Sequence, residues 1–548
     1  MDIEQVKKQA FELGIKDFFN LVRNDYLRNK GFETAEIDVE RRGRLDDLAD
    51  KVSSLFGKGR EYLWEDERFH IVFRITSVDE LASLGEGYDL DSIAESLQKG
   101  RTMSILPLNV ILGNPTIRRF LPLVPELYSG KQRHSLDPYG IFANDHIDAL
   151  VEAEESDNPF DPYPIVEKDG RRYKKIYLGS RKFDYAVLAN LTENCPIGCA
   201  ECYKGVLTRT EMAALADIDP KYADLKKQLG LQEKRAVDQV NLLTQWLNGH
   251  QEVNTVIFSG GEPFMYSPET IEKMLDEISK AEHVKEVRFC TGSVYLGLFS
   301  KMTDELIEKL VGFSRNNDGR SGRPLKRLYL NCDVADENQL LAPEAIMVTK
   351  RLNDAGLSLH LQMPLQEGIN FFREDIQKTR VKLSDISRAA YLIGATPYKA
   401  IVNMHSPSFE ELTVPIERVS EAITVFEGHN STSDMERWQA YSILHEQGNA
   451  YVYAKPHFVF EKEVDKDRKR VTYFIPVGDS IHTYEEPLIA GINDRDSSNI
   501  ADQELSSRIM QVRAAYHQLL QRGIDTRRFY EISGIRMAHN GPLIVSRQ

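Results

Sequence analysis

The sequence predicts an α/β protein built on a parallel sheet, and three observations lead there. From about 183 to 405, short β-rich runs alternate with helical patterns until six strands have been laid down. Strands separated by helices require right-handed crossovers, so the sheet is parallel, either open or curled into a barrel or part of one. Three of the five cysteines stand within eight positions just past the first of those strands, at the carboxyl end where such sheets carry their chemistry.

The elements follow in order. Upstream, "IEQVKKQAFELGIKDFFNLVRNDYL", "VDELASL" and "LDSIAESLQKG" have apolar residues at helical spacing, which predicts a mainly helical region over residues 1–155. The polar, proline-bearing "EAEESDNPFDPYPIVEKDG" at 152–170 is a connector. Over 156–405 the strands are "DYAVLANLT", "VNTVIFSGG", "KEVRFCTGS", "LKRLYLNCD", "LSLHLQMPL" and "PYKAIVNMHS". Between them lie "VDQVNLLTQWLNG", "SPETIEKMLDEISKA", "TDELIEKLVGF", "PEAIMVTKRLNDAG" and "REDIQKTRVKLSDISRAAYLIGA", each with helical periodicity. Residues 406–548 read as a C-terminal α+β extension: strands, a solvated hairpin at "EKEVDKDRKR" and a terminal amphipathic helix.

Composition narrows the function. At 548 residues the chain has room for two or three domains and a large core. Lys and Arg total 69 against 84 Asp and Glu, a net charge of −15, which opposes unspecific binding to nucleic acid or anionic membranes and favours a small-molecule substrate. No secretory pattern opens "MDIEQVKKQAFELG", and no apolar run approaches the ~20 residues that span a bilayer. A cytoplasmic protein with reduced thiols is expected.

The clustered thiols are Cys195, Cys199 and Cys202, spaced C-x3-C-x2-C in "LTENCPIGCAECYKG". Structural zinc sites supply four Cys or His ligands, and no second C-x2-C or H-x3-H pair occurs. Three thiolates on a tight loop suit a 4Fe–4S cluster with one iron open to a ligand outside the protein; zinc and unrelated surface thiols are the alternatives. At the end of the second strand, "VIFSGGEPF" places Gly260 and Gly261 where backbone can come close to a ligand, and Glu262 where a carboxylate can meet an ammonium group. Alone, such a turn is a common strand end.

Together, C-x3-C-x2-C after strand one and GGEP after strand two resemble the radical S-adenosylmethionine superfamily. The resemblance implies a partial (β/α)6 TIM barrel. In it Cys195, Cys199 and Cys202 hold the 4Fe–4S cluster, while Gly260, Gly261 and Glu262 position S-adenosylmethionine. One departure stands out: the family places an aromatic or histidine just before the third cysteine, and here that position is Glu201, with Tyr203 one step beyond.

Over roughly 156–487 the sequence resembles the lysine 2,3-aminomutase branch more narrowly. The segments are "DNPFDPYP", "FDYAVLANLTENCPIGCAECYKG", "VIFSGGEPFMYSPETIEKMLDEISKAEHVKEVRFCTGS", "NDAGLSLHLQMPLQEGIN" and "SIHTYEEP". On that match Ser293 and Gln362 face the cofactor's ribose and carboxylate; a turn residue and a satisfied polar group inside the barrel are the plain alternatives. Two signatures of the branch are missing. Where it has a glycine-rich loop ending in the lysine that carries pyridoxal phosphate, this chain has "NAYVYAKPHFVFEKEV", with Lys455 before a proline and no glycine run. That argues against a pyridoxal phosphate site of the family's kind. The branch's zinc-binding cysteines are absent, since no thiol follows Cys332, and zinc is not expected.

Cys290 and Cys332 lie on strands three and four and read as small buried apolar residues. Asp333 and His405, at strand ends, are candidates for handling substrate polar groups. The expected activity is reductive cleavage of S-adenosylmethionine to a 5′-deoxyadenosyl radical that takes hydrogen from a small amino-acid-like substrate. Amino migration, or an elimination, epimerisation or dehydrogenation without pyridoxal phosphate, would follow; a non-catalytic iron–sulfur scaffold is the rival. An external electron donor of flavodoxin or ferredoxin type is implied. The N-terminal region and the segment after 490 are candidates for a lid, a partner site or a homo-oligomer contact.

Overall fold

A computed structural model describes residues 3–34, 39–73, 80, 165–192, 236–319, 325–402, 412–429, 438–494 and 535–545, apart from breaks of one to five residues within these spans. Cys195, Cys199, Cys202, Glu201, Tyr203, His405, Lys455 and the expected terminal helix lie outside them.

The α/β class holds. Nine strands form one sheet, and their order across it is their order along the chain. Its strands are β3 (Gly179–Phe183), β4 (Ala186–Thr192), β5 (Thr255–Gly260), β6 (Glu286–Thr291), β7 (Arg327–Asp333), β8 (Ser358–Leu365), β9 (Thr396–Val402), β10 (Ala440–His445) and β11 (Gly448–Tyr451). Strands β4 to β10 make a parallel half-barrel of seven. Two antiparallel strands close its ends, β3 on β4 and β11 on β10. The half-barrel goes one strand beyond the six read from the sequence, because β10 pairs parallel with β9 from Ala440 to Ile443.

The chain divides into two compact units, Met1–Leu361 with Leu392–Thr396, and Gln362–Tyr391 with Pro397–Gln548. In the first, register sorts the strands' residues into two faces. Val187, Val256, Val287 and Leu328 form one row, and Ala189, Phe258, Phe289 and Leu330 the next; all are buried. Helices α5 (Ala236–Gly249), α6 (Pro268–Ser279) and α7 (Asp304–Asn316) each bury one apolar stripe; each follows a strand, the arrangement that covers a parallel sheet. The helix starts are written in the sequence: Ser267 accepts from the Thr270 N–H with Pro268 following, and Thr303 accepts from the Leu306 N–H.

The same unit holds α1 (Ile3–Leu13), α2 (Ile15–Asn29), α3 (Val39–Phe56) and α4 (Glu67–Val72), as the helical spacing predicts. Phe18, Phe19, Phe69 and Phe73 pack as a buried ring cluster with centroids 4.7–6.3 Å apart. Arg60 bonds Asp25 and Asp46 at 2.6 and 2.7 Å. After the short helix α8 (Glu337–Leu340), α9 (Pro343–Asp354) carries Glu344 in its first turn. Arg23 of α2 grips that buried carboxylate with two bonds, 2.6 and 2.9 Å, and the Trp64 indole donates to it at 3.3 Å. The N-terminal helices are thereby joined to a barrel helix.

The second unit contains α10 (Ile376–Ile393) up to Tyr391, α11 (Ile416–His429), most of the last strands, and an antiparallel sheet of β12 (Glu461–Asp465), β13 (Arg470–Val477) and β14 (Ser480–Pro487). The charged run at 461–470 is the expected hairpin: β12 pairs β13 antiparallel, and Lys469 takes a left-handed φ of 54° at its turn. The resemblance at "SIHTYEEP" falls on β14. Short hairpins pair β1 (Ile165–Lys168) with β2 (Arg171–Lys174), and β15 (Ile535–Met537) with β16 (Leu543–Val545).

Candidate cofactor site at the strand ends

The GGE turn is built against the strand that leads into the cysteines. Gly260 has φ +117°, where side chains are rarely tolerated, and a Cβ there would stand 2.5 Å from the Thr192 carbonyl oxygen. The Gly261 N–H donates to that same oxygen at 2.6 Å, and the Tyr266 hydroxyl donates to the Leu191 carbonyl at 2.7 Å. The sequence explains this locally: two glycines let the β5 end close on β4, and Pro263 starts a short 3-10 turn that delivers Tyr266. Thr192 stands three residues before Cys195. The turn therefore fixes the start of the cysteine segment.

Glu262 is 1% exposed and faces the chain's own donors. Its Oε1 accepts from Thr291 Oγ1 at 2.8 Å and from the Phe264 N–H at 3.1 Å, and its Oε2 from the Gly292 N–H at 2.8 Å. Three of a carboxylate's roughly four acceptor positions are thus used. Burial pushes the Glu262 pKa up, while these hydrogen bonds pull it down. Where the sequence suggested a carboxylate aimed at an ammonium group, the geometry adds a brace between the turns after β5 and β6. Ser293 belongs to the second of those turns, fully buried, its N–H bonded to Thr291 Oγ1 at 3.0 Å.

The remaining candidates divide. Asp333 is the last residue of β7, and Gln362 sits half-buried on β8. Cys332 is wholly buried, and burial holds its thiol well above the usual range. Cys290 is only half-buried and packs against Ala186, Leu188 and Ile257. The face carrying Cys290 also bears polar residues that the sequence reading passed over. Arg288 pairs in register with Tyr329, and Cys290 with Asn331, which is 2% exposed. Arg288 is bonded to Glu286, and the Tyr329 ring stacks on His360 with centroids 4.5 Å apart. Burial, and then the charge of Arg288, push the His360 pKa down to about 4. The signal was present: in "EVRFC", "RLYLN" and "SLHLQ" every second residue is polar, whereas a strand buried on both faces is apolar throughout.

Comparison with known proteins bears on this site directly. A family model described as a 4Fe-4S single cluster domain matches residues 186–313, from β4 into α7. A chain of Aquifex aeolicus (strain VF5), provisionally named L-lysine 2,3-aminomutase, is 21% identical over 352 residues, 62% of this chain and 83% of the relative. An uncharacterized KamA family protein of Methanocaldococcus jannaschii is 23% identical over 248 residues, 45% of this chain and 34% of that one. The L-lysine 2,3-aminomutase of Acetoanaerobium sticklandii is 21% identical over 334 residues, covering 58% and 69%. These relatives and the matched 4Fe-4S family model are what the chain is similar to. The span that the 4Fe-4S family model matches contains the three clustered cysteines, the GGE turn and Ser293. None of its described helices is long and apolar enough to cross a membrane.

The donor set fits a cluster, since three thiolates leave one iron free for a second ligand.

Proposed function

We propose that this protein is a radical S-adenosylmethionine enzyme that catalyses an aminomutase-like rearrangement of a small amino-acid-like substrate. The observation that carries the reading is the Gly261 N–H bond to Thr192, which ties the GGE turn to the start of the cysteine segment. Cys195, Cys199 and Cys202 would hold the cluster; Gly260, Gly261 and Glu262, with Ser293 and Gln362, would position the cofactor. When bound, cluster and S-adenosylmethionine supply one-electron reductive cleavage and hydrogen-atom abstraction. The chain's part is to bind, orient and exclude water. Glu262 keeps two strand-end turns in fixed relation, and the Arg288, Tyr329 and His360 face offers polar contacts within the half-barrel. With its pKa near 4, His360 is neutral at pH 7 and offers a hydrogen bond, not a charge. Asp333 and His405 are the proposed handlers of substrate polar groups, and a flavodoxin- or ferredoxin-type donor the proposed electron source.

The decisive experiment is anaerobic reconstitution followed by reduction in the presence of S-adenosylmethionine. About four irons per chain and release of 5′-deoxyadenosine are expected, both lost when Cys195, Cys199 and Cys202 become Ala together and the iron retained in Cys290→Ala. A cluster without 5′-deoxyadenosine would favour the scaffold reading.

A second reading keeps the radical chemistry but dispenses with pyridoxal phosphate. It is favoured by the strand that precedes Lys455: β11 runs through Tyr451 as an antiparallel edge, and no glycine run follows it. Borohydride treatment with added pyridoxal phosphate separates the two. A stoichiometric adduct on Lys455 restores the aldehyde-dependent aminomutase; none, with 5′-deoxyadenosine still formed, leaves elimination, epimerisation or dehydrogenation.

A further inference from the structure

The second unit contains a buried acid cluster that none of the chemistry above uses. Glu486, on β14, is fully buried. Its Oε1 lies 2.9 Å from the Tyr473 hydroxyl and accepts from Asn493 Nδ2 at 2.8 Å, while Oε2 accepts from the Ile416 N–H at 3.1 Å. The same Tyr473 hydroxyl lies 2.9 Å from Glu417 Oε1, which also accepts from Lys462 Nζ at 2.7 Å. Each element packed there contributes one group: Glu417 from α11, Lys462 from β12, Tyr473 from β13 and Glu486 from β14. The Tyr484 ring, also on β14, is buried nearby, and Glu486 helps push its pKa up.

Proton counting decides how this arrangement works. A tyrosine hydroxyl has one proton, yet two carboxyl oxygens stand at hydrogen-bond distance from it. With both glutamates ionised, one of those contacts would set a lone pair against a buried anion, which is costly in low dielectric. A proton on Glu486 resolves the conflict: Glu486 donates to the Tyr473 oxygen, and Tyr473 donates to Glu417, which Lys462 neutralises. Glu486 is the carboxyl that carries the proton, since among the described residues no cation bonds it and it is fully buried, whereas Glu417 has the ammonium group and is 20% exposed.

We propose that Glu486, Tyr473 and Glu417 form a buried proton latch, which fastens the sheet β12–β14 to the start of α11 while Glu486 is protonated and loosens it when that proton is lost. The step is a simple acid dissociation. The Oε–H bond of Glu486 breaks, the proton leaves to solvent, and the anion remains beside Glu417. Burial, the largest influence, holds the Glu486 pKa up at about 7, against the opposing bonds from Asn493, Ile416 and Tyr473. The latch is therefore poised near neutral pH.

Infrared difference spectroscopy of the full-length protein across pH 5 to 9 tests this directly, with hydrogen exchange of β12–β14 read in parallel. A buried protonated-carboxyl band is expected at pH 5, fading as pH rises, while protection of β12–β14 and of the first turn of α11 falls with it. Glu486→Gln should abolish the band and make protection independent of pH. Glu417→Gln, which removes the neighbouring anion, should move the fading of the band to lower pH; a merely structural role would leave that midpoint in place. If Glu486→Gln does not fold, the Glu417→Gln midpoint decides. Absence of the band at pH 5, or the same pH dependence of protection in both variants as in the natural protein, would overturn the proposal.

Discussion

At the scale of single residues, the glycines of the GGE turn have a cause that needs no ligand. Gly260 is confined by the Thr192 carbonyl, so replacing it with Ala forces both a disfavoured φ and a contact of 2.5 Å onto backbone that has no flexible end to move aside. Gly260→Ala is expected to cost about 1–3 kcal/mol. Because the displaced carbonyl lies three residues before Cys195, the variant should also retain less iron after reconstitution. Urea unfolding and iron content, measured together, check both halves. A variant with normal stability and normal iron would mean that the Thr192 contact relaxes without consequence. Glu262 shows where sequence stops short. The motif gave the residue, but nothing in "GGEP" reveals that its carboxylate is engaged by Thr291 and Gly292, about thirty positions later.

At the scale of elements, periodicity carried most of the fold. Each strand of the alternation is a short β-rich run, and each intervening helix buries a stripe at helical spacing. The seventh strand, "AYSILH", lies past the boundary drawn at 405 and beyond α11, and its place is decided by parallel pairing with β9, a contact no local pattern encodes. Attachment of the N-terminal helices was equally hidden, since Arg23 and Glu344 are 321 positions apart. That pair makes its own prediction. Glu344 is almost wholly buried while Arg23 is 30% exposed, so Arg23→Ala leaves a desolvated carboxylate with the Trp64 indole as its side-chain donor among the described residues. A loss of roughly 1.5–3 kcal/mol is expected, as for hydrogen bonds to charged groups. Arg23→Lys should recover only part of it, because an ammonium cannot reproduce the two-pronged contact. Thermal unfolding of both variants measures the difference; equal stability of Arg23→Ala and the natural protein would show the pair to be neutral.

At the scale of the whole molecule, the two units should answer acid in opposite directions. In the first, His360 has a folded pKa of about 4, below the usual histidine value of 6.5, so its unfolded form binds more protons between those limits. The stability it contributes is present above about 6.5 and is lost as pH falls toward 4. Lys326 acts in the same sense higher up: it is buried, with its ammonium on the Ala281 and Val284 carbonyls, and burial lowers its pKa to about 8, so stability rises with pH from 8 to 10.5. In the second unit Glu486 reverses the sign. Its folded pKa of about 7 exceeds the ordinary 4.5, so the folded form holds the extra proton; that stability is complete below 4.5 and disappears as pH rises through 7. Lowering the pH from 7 to 5 should therefore weaken the first unit through His360, with the raised Glu262 acting against it, and strengthen the second through Glu486. Calorimetric scans at the two pH values are expected to show the unfolding envelope broaden or resolve into two components on acidification. Glu486→Gln should remove the upward movement of one component and leave the downward movement of the other. One transition that stays equally narrow and shifts in a single direction in both proteins would show that these titrations do not govern the stability of separate units.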